Sequence, residues 1–163
     1  MEISLSSFVL FLATLLTGLA AGLCFTWSNA VTSGIGNLND LGYLQSFQQM
    51  NRSILNPIFF IVFFGPFFIA LAAAMLNKSS SPQIFWIALI ATVFYFVGVA
   101  IVTIFGNVPL NEMLDKSDLA SSSLGELKAL REKFEKPWTQ FHWIRTITSG
   151  ISFMLLLIAA LLK

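Results

Sequence analysis

Arginine, histidine and asparagine side chains gather at the edges of otherwise apolar stretches, at Asn29, Asn51, Arg52, Asn56, Asn107, Asn111, His142 and Arg145. A guanidinium keeps its charge in a protein and can hold a negative oxygen as it develops. An asparagine amide adds a neutral donor or acceptor. His142, the only histidine, suits a general base, a proton relay, an axial haem ligand or a hydrogen-bonded helix end. His142, Arg145 and Arg52 are therefore the candidate reactive groups, and the asparagines the candidate binding groups. Trp27 and Trp143 either wall a site for a flat aromatic ligand or join Tyr43, Trp138 and Phe141 in an aromatic belt at a membrane interface.

The apolar stretches between these groups say how they would be brought together. Of 163 residues, 56% are hydrophobic and 10% charged, with a net charge of +1, a balance far from that of a soluble domain. No Asp, Glu, Lys or Arg occurs from Ile3 to Asn39, from Ser53 to Asn77, from Ser79 to Asn111 or from Thr146 to Leu162. About 20 apolar residues cross a hydrocarbon core roughly 30 Å thick. The expected fold is all-α: a four-helix transmembrane bundle in a single domain, with spans near 5–28, 57–76, 83–105 and 141–162. Met1 and Glu2 lack the positive flank of a secretory signal, so the first helix is read as retained.

Further signals refine this frame. Loop residues follow the first helix at Ser33-Gly34-Ile35-Gly36-Asn37. Tyr43 to Ile54 reads as amphipathic, with Leu44, Phe47, Met50 and Ile54 near helical spacing and Gln48 on the polar side. Asn56-Pro57 opens the second span, and Gly65-Pro66 predicts a kink within it. Between the third and fourth spans, Ser123-Leu124-Gly125-Glu126 matches a capping box. It opens a short amphipathic helix near 124–136 that caps the bundle, and Pro137 is expected to end it. With four spans the first and third connections share one membrane face, so the candidate groups converge there.

Polar stripes descend from that face. Thr14, Thr17, Ala21, Cys24 and Ser28 share one side of the first helix, Thr92, Tyr95, Thr103 and Asn107 nearly share one side of the third, and His142, Arg145, Thr146 and Ser149 one side of the fourth. The small-residue side of the first helix, beside Gly18 and Gly22, serves packing within the bundle or a homo-oligomer contact. Basic residues cluster on the side of the first and third connections, which predicts termini outside and the polar site in the cytoplasm of a plasma or inner membrane.

The composition also excludes several classes. One cysteine, Cys24, forbids an internal disulfide, and one histidine with one cysteine makes no metal site. No nucleic-acid partner is expected from so small a net charge, and no P-loop or dinucleotide fingerprint is present. No cofactor is predicted. A haem would have only His142 as a strong axial ligand, in a five-coordinate site or one bridged across a dimer.

Four motifs, in their order and spacing, resemble the anthrone oxygenase-like family of small integral membrane proteins. They are Ala21-Gly22-Leu23-Cys24-Phe25-Thr26-Trp27-Ser28, Met50-Asn51-Arg52-Ser53-Ile54-Leu55-Asn56-Pro57, Asn107-Val108-Pro109-Leu110-Asn111, and Phe141-His142-Trp143-Ile144-Arg145-Thr146. The resemblance implies a four-helix membrane domain that adds oxygen to an anthrone, giving an anthraquinone. It implies a flat apolar small molecule as ligand and the lipid bilayer as surroundings, with Arg52, Asn56, Asn107, Asn111 and Arg145 at the family's polar positions. His142 would then take the carbon-bound proton while Arg52 or Arg145, with Asn56 or Asn107, hold the oxyanion. Two readings from other classes stand beside it: a non-catalytic protein binding haem, a quinone or a lipid, and a structural or accessory membrane protein.

Overall fold

The computed structural model describes residues 4–163; Met1 and Glu2, on which the reading of the N-terminal flank rests, lie outside them. All regular secondary structure among the described residues is helical: α1 Leu5–Gly36, α2 Asp40–Ile54, α3 Pro57–Asn77, α4 Pro82–Asp115 and α5 Leu124–Leu161. All but α2 are long and apolar enough to cross a membrane. At about 1.5 Å per residue, the 21 residues of α3 match a core roughly 30 Å thick. Helices α1, α4 and α5, of 32, 34 and 38 residues, run past it. Their extensions all emerge at one end, and α2 lies across them there.

Local chemistry fixes the helix starts. The Asn39 side chain accepts from the Gly42 amide at 2.8 Å, and the Asn56 side chain accepts from Phe59 at 3.0 Å with Pro57 in the first turn, each satisfying an amide that the helix leaves free. Ser123 and Glu126 form the expected capping box. In the preceding loop, the Ser121 hydroxyl, then the Ala120 and Ser121 amides, hold the Asp118 carboxyl below its usual range.

Pro137 does not end the amphipathic segment. Helix α5 runs unbroken from Leu124 to Leu161, so the cap and the fourth span are one rod. The carbonyl that Pro137 leaves without an amide belongs to Lys133, an exposed residue where water can replace the missing bond. Buried Phe134 and Trp138 pin the helix on either side of it. The loop expected after the first helix is also helical, because a wide π-turn at Trp27–Val31 passes directly into Thr32–Gly36.

In the membrane, α1 packs on α3 and α5, and α4 packs on α3 and α5. The layer farthest from α2 is built largely of alanine, with Ala13, Ala70, Ala73, Ala88, Ala91 and Ala159 buried; small side chains let helix backbones approach closely in lipid. Two glycines of α4 extend this toward the cap, since a Cβ at Gly98 would collide with Thr148 and one at Gly106 would stand 2.7 Å from the Phe141 ring. Thr14, Thr17, Cys24 and Ser28 of the α1 stripe are buried, so that face packs within the chain. Exposed Leu, Ile and Phe side chains, among them Phe11, Ile58, Ile61 and Phe105, cover the outside as lipid requires.

The cap is an aromatic cluster. Tyr43, Leu44 and Phe47 of α2 pack on Leu114 of α4 and on Leu127, Phe134 and Trp138 of α5. Two polar groups fasten it. Gln48, expected on the polar side, is buried, and its amide donates to the carbonyls of Leu114, Asp115 and Ser117 at 3.0, 3.4 and 3.3 Å. Arg131 donates to the carbonyls of Gly36 and Leu38 at 2.8 and 2.9 Å and pairs with Asp40 and Glu135. Both satisfy carbonyls at or just beyond helix C-termini. Arg131 also lies 4.4 Å from the centre of the Tyr43 ring; burial, and then the nearby Glu135 carboxylate, push that hydroxyl above its usual range.

Candidate functional site

Where the cap meets the spans, a cavity of about 130 Å³ opens among all five helices. Cys24 and Trp27 of α1, Asn51 and Ile54 of α2, Phe59 and Phe63 of α3, Thr103 and Asn111 of α4, and Trp138, His142 and Arg145 of α5 line it. Its wall is mostly apolar, and its edge reaches Leu55 and Phe60, which are exposed among lipid-facing residues. Two π-turns flank it, Trp27–Val31 in α1 and Thr103–Asn107 in α4. Such turns widen a helix locally and shift its backbone bonds.

Arg145 dominates the electrostatics. It is 8% exposed, and no carboxylate pairs with it among the described residues. Its Nη2 donates to His142 Nδ1 at 2.7 Å and its Nη1 to Thr103 Oγ1 at 3.4 Å, while Nε is buried with no partner. The guanidinium carbon lies 5.3 Å from the Trp138 ring centre and 5.9 Å from that of Phe63, a cation–π setting. Of five guanidinium N–H groups, most therefore have no acceptor. A fixed cation so placed in an apolar cavity calls for an anionic or strongly accepting oxygen.

His142 is engaged on both sides. Its Nε2 lies 3.1 Å from the Cys24 carbonyl and its Nδ1 faces Arg145, which leaves no ring nitrogen free for a haem iron or a substrate proton. Trp138, one turn earlier, stacks on the imidazole at 4.8 Å and 18° and donates its indole N–H to Asn111 Oδ1 at 2.8 Å. Thr146 ties the same region to α1 through Ser28 at 2.8 Å.

The residues expected to act together divide into groups. Trp27, Asn51, Asn111, His142 and Arg145 line the cavity. Asn107 is fully buried behind it, with Nδ2 donating to the Trp138 carbonyl at 3.1 Å and Oδ1 unpartnered. Asn56 is the helix cap already described, and Asn29 is exposed outside the cavity. Trp143 is 49% exposed, because the residue after His142 points about 100° around the helix. Arg52 also stands apart, pairing with Asp115 at 2.6 Å, with the two side chains 48% and 46% exposed. Such a pair contributes at most about 1 kcal/mol. Arg52→Gln should accordingly lower stability by no more than that in a denaturant titration, and leave ligand affinity within a few-fold of wild type.

Beyond the apolar lining, four groups that contact the His142 or Arg145 side chains are not among the expected site residues: Phe63, Thr103, Trp138 and the Cys24 carbonyl. Thr103 lay in the polar stripe of the third span, and Trp138 lies four residues before His142, on the same helix face. Those were the available signals. Phe63 sits in a phenylalanine-rich run without a distinguishing mark, and a backbone carbonyl leaves none at all.

Fold and site together define an all-helical membrane protein with a buried cation in an apolar cavity beneath an aromatic cap. The profile of one family, anthrone oxygenase, matches residues 59–155. That is more than half of the chain, and the protein belongs to this family. The matched segment contains Asn107, Asn111, His142 and Arg145, and it begins after Trp27, Asn51, Arg52 and Asn56. No curated protein and no solved structure matches the chain significantly.

Proposed function

We propose that the protein oxygenates an anthrone or a related phenolic ketone in this cavity, with Arg145 holding the oxyanion of the substrate. The observation that carries the reading is the desolvated, acid-free guanidinium with unfilled donors on the cavity wall. An anthrone carries a ketone oxygen that becomes negative when its CH₂ group loses a proton, and a cation fixed in a low-dielectric site stabilises that enolate strongly. The enolate then reacts with dioxygen. In balance, the CH₂ carbon gives up two hydrogens, one oxygen atom becomes the new carbonyl, and the other leaves with those hydrogens as water. No outside reductant is needed.

Size decides how the substrate lies. An apolar cavity of roughly 150 Å³ takes up one benzene ring, so about 130 Å³ encloses one ring's volume of a tricyclic ligand, at the ketone-bearing edge that faces Arg145. The remainder of the ligand extends past Leu55 and Phe60 toward lipid, from which an apolar substrate enters. Because Arg145 covers His142 Nδ1, the departing proton goes to water at the cavity mouth while that bond stands. The exposed cap residues Lys116, Lys128, Lys133 and Lys136 support a cytoplasmic position for this end.

The test uses the purified protein in vesicles with an anthrone and dissolved oxygen. Anthraquinone formation and oxygen uptake at one-to-one stoichiometry, well above the rate in empty vesicles, are expected. Equal rates with and without protein would overturn the assignment.

A further inference from the structure

The mechanism above leaves His142 without a part, although it is buried at the centre of the site. We infer that His142 is a positioning residue: it fixes the Arg145 guanidinium by relaying a hydrogen bond from the Cys24 carbonyl of α1, in a single tautomer set by its two partners. The inference rests on the oxygenase reading for its consequence in catalysis, but its geometry stands independently.

The tautomer follows from which groups can donate. A carbonyl only accepts and a guanidinium only donates. The contact of 3.1 Å to Cys24 therefore requires hydrogen on Nε2, and the contact of 2.7 Å to Arg145 requires the lone pair on Nδ1. Both contacts are buried, and Trp138 stacked against the ring prevents it from turning. Arg145 has no carboxylate to orient it, and its contact with Thr103 is long at 3.4 Å. His142 Nδ1 is thus the best-placed acceptor it has. Misplacing a catalytic group by about 1 Å can cost 10²-fold in rate, which sets the size of the effect.

Two substitutions separate this role from others. In His142→Asn, the amide oxygen occupies the place of Nδ1 and can still accept from Arg145, while contact with Cys24 is lost. In His142→Gln, the longer side chain keeps a donor near Cys24 and vacates the Nδ1 position. We expect His142→Asn to stay within about tenfold of wild type and His142→Gln to fall about 10²-fold in anthrone oxidation. Equal loss in both would overturn positioning in favour of a base. Rescue by glutamine alone would overturn it in favour of a tie between α1 and α5.

A second readout needs no turnover. Because His142 is the only histidine, protein labelled with ¹⁵N-histidine gives the ring-nitrogen signals of this residue alone. The inference predicts a protonated Nε2 and an unprotonated Nδ1, with the Nδ1 signal moving in Arg145→Met and the Nε2 signal staying in place. Protonation of Nδ1, or an Nδ1 signal unmoved in Arg145→Met, would overturn it. Wild-type protein without oxygenase activity but with the predicted nitrogen signals would refute the oxygenase reading and uphold the geometry.

Discussion

Replacing Arg145 with methionine should cut anthrone oxidation by roughly 10²–10³-fold, the loss seen when an oxyanion donor is removed from an enzyme, while the fold survives. The two halves of this expectation come from the same observation. Arg145 is buried without an acid, and its Nε has no partner. Its charge is desolvated without full compensation, so methionine, of similar length and apolar, relieves that cost. The lone pair left bare on His142 Nδ1 is a penalty of about 1–3 kcal/mol. These effects oppose one another, and stability should remain within about 2 kcal/mol of wild type. Unfolding in a denaturing detergent and turnover in vesicles, measured on the same preparation, check both halves. A structural role for Arg145 makes the opposite prediction, a large loss of stability.

Trp138→Ala should show the reverse pattern, with a loss of about 3–5 kcal/mol in stability and activity lost along with the fold. Trp138 is 4% exposed and joins the cap to the site. It meets Phe47 at 4.7 Å, Trp27 at 5.7 Å and His142 at 4.8 Å between ring centres, and it donates to Asn111. Alanine would empty the space where α1, α2 and α5 converge. Trp138→Phe retains most of the aromatic contact and gives up the indole hydrogen bond, worth about 0.5–1.5 kcal/mol. Asn111 Oδ1 then faces the cavity, where water can reach it. Unfolding midpoints of the two variants should differ widely. Coincident midpoints would mean that the stacking contributes little.

The membrane architecture was legible because charge-free runs of the length needed to span lipid leave few alternatives. The buried stripes on the first, third and fourth spans were legible too, since Thr17, Thr92, Asn107, His142, Arg145 and Ser149 are all buried. Pro137 misled because a proline signals a lost bond without showing whether water can replace it. The continuous α5 depends on tertiary support from Phe134 and Trp138, which single-residue propensity omits. Arg52 and Asn56 misled for another reason. Residues near the same membrane face need not share a cavity, and Asp115 and the start of α3 claim these two side chains locally. For Trp143 the angle around the helix was decisive, and a motif of consecutive residues conceals it.

The most direct test of an oxyanion site at Arg145 is the ionisation of a bound ligand. A hydroxyanthraquinone changes colour when its phenol ionises, so its absorption spectrum in vesicles reports the charge of the bound form. Wild-type protein should bind it with the anion band present at a pH where the free compound is neutral, and Arg145→Met should show only the neutral band. A neutral spectrum in both proteins, or an anion band of equal strength in Arg145→Met, would contradict an oxyanion site at Arg145.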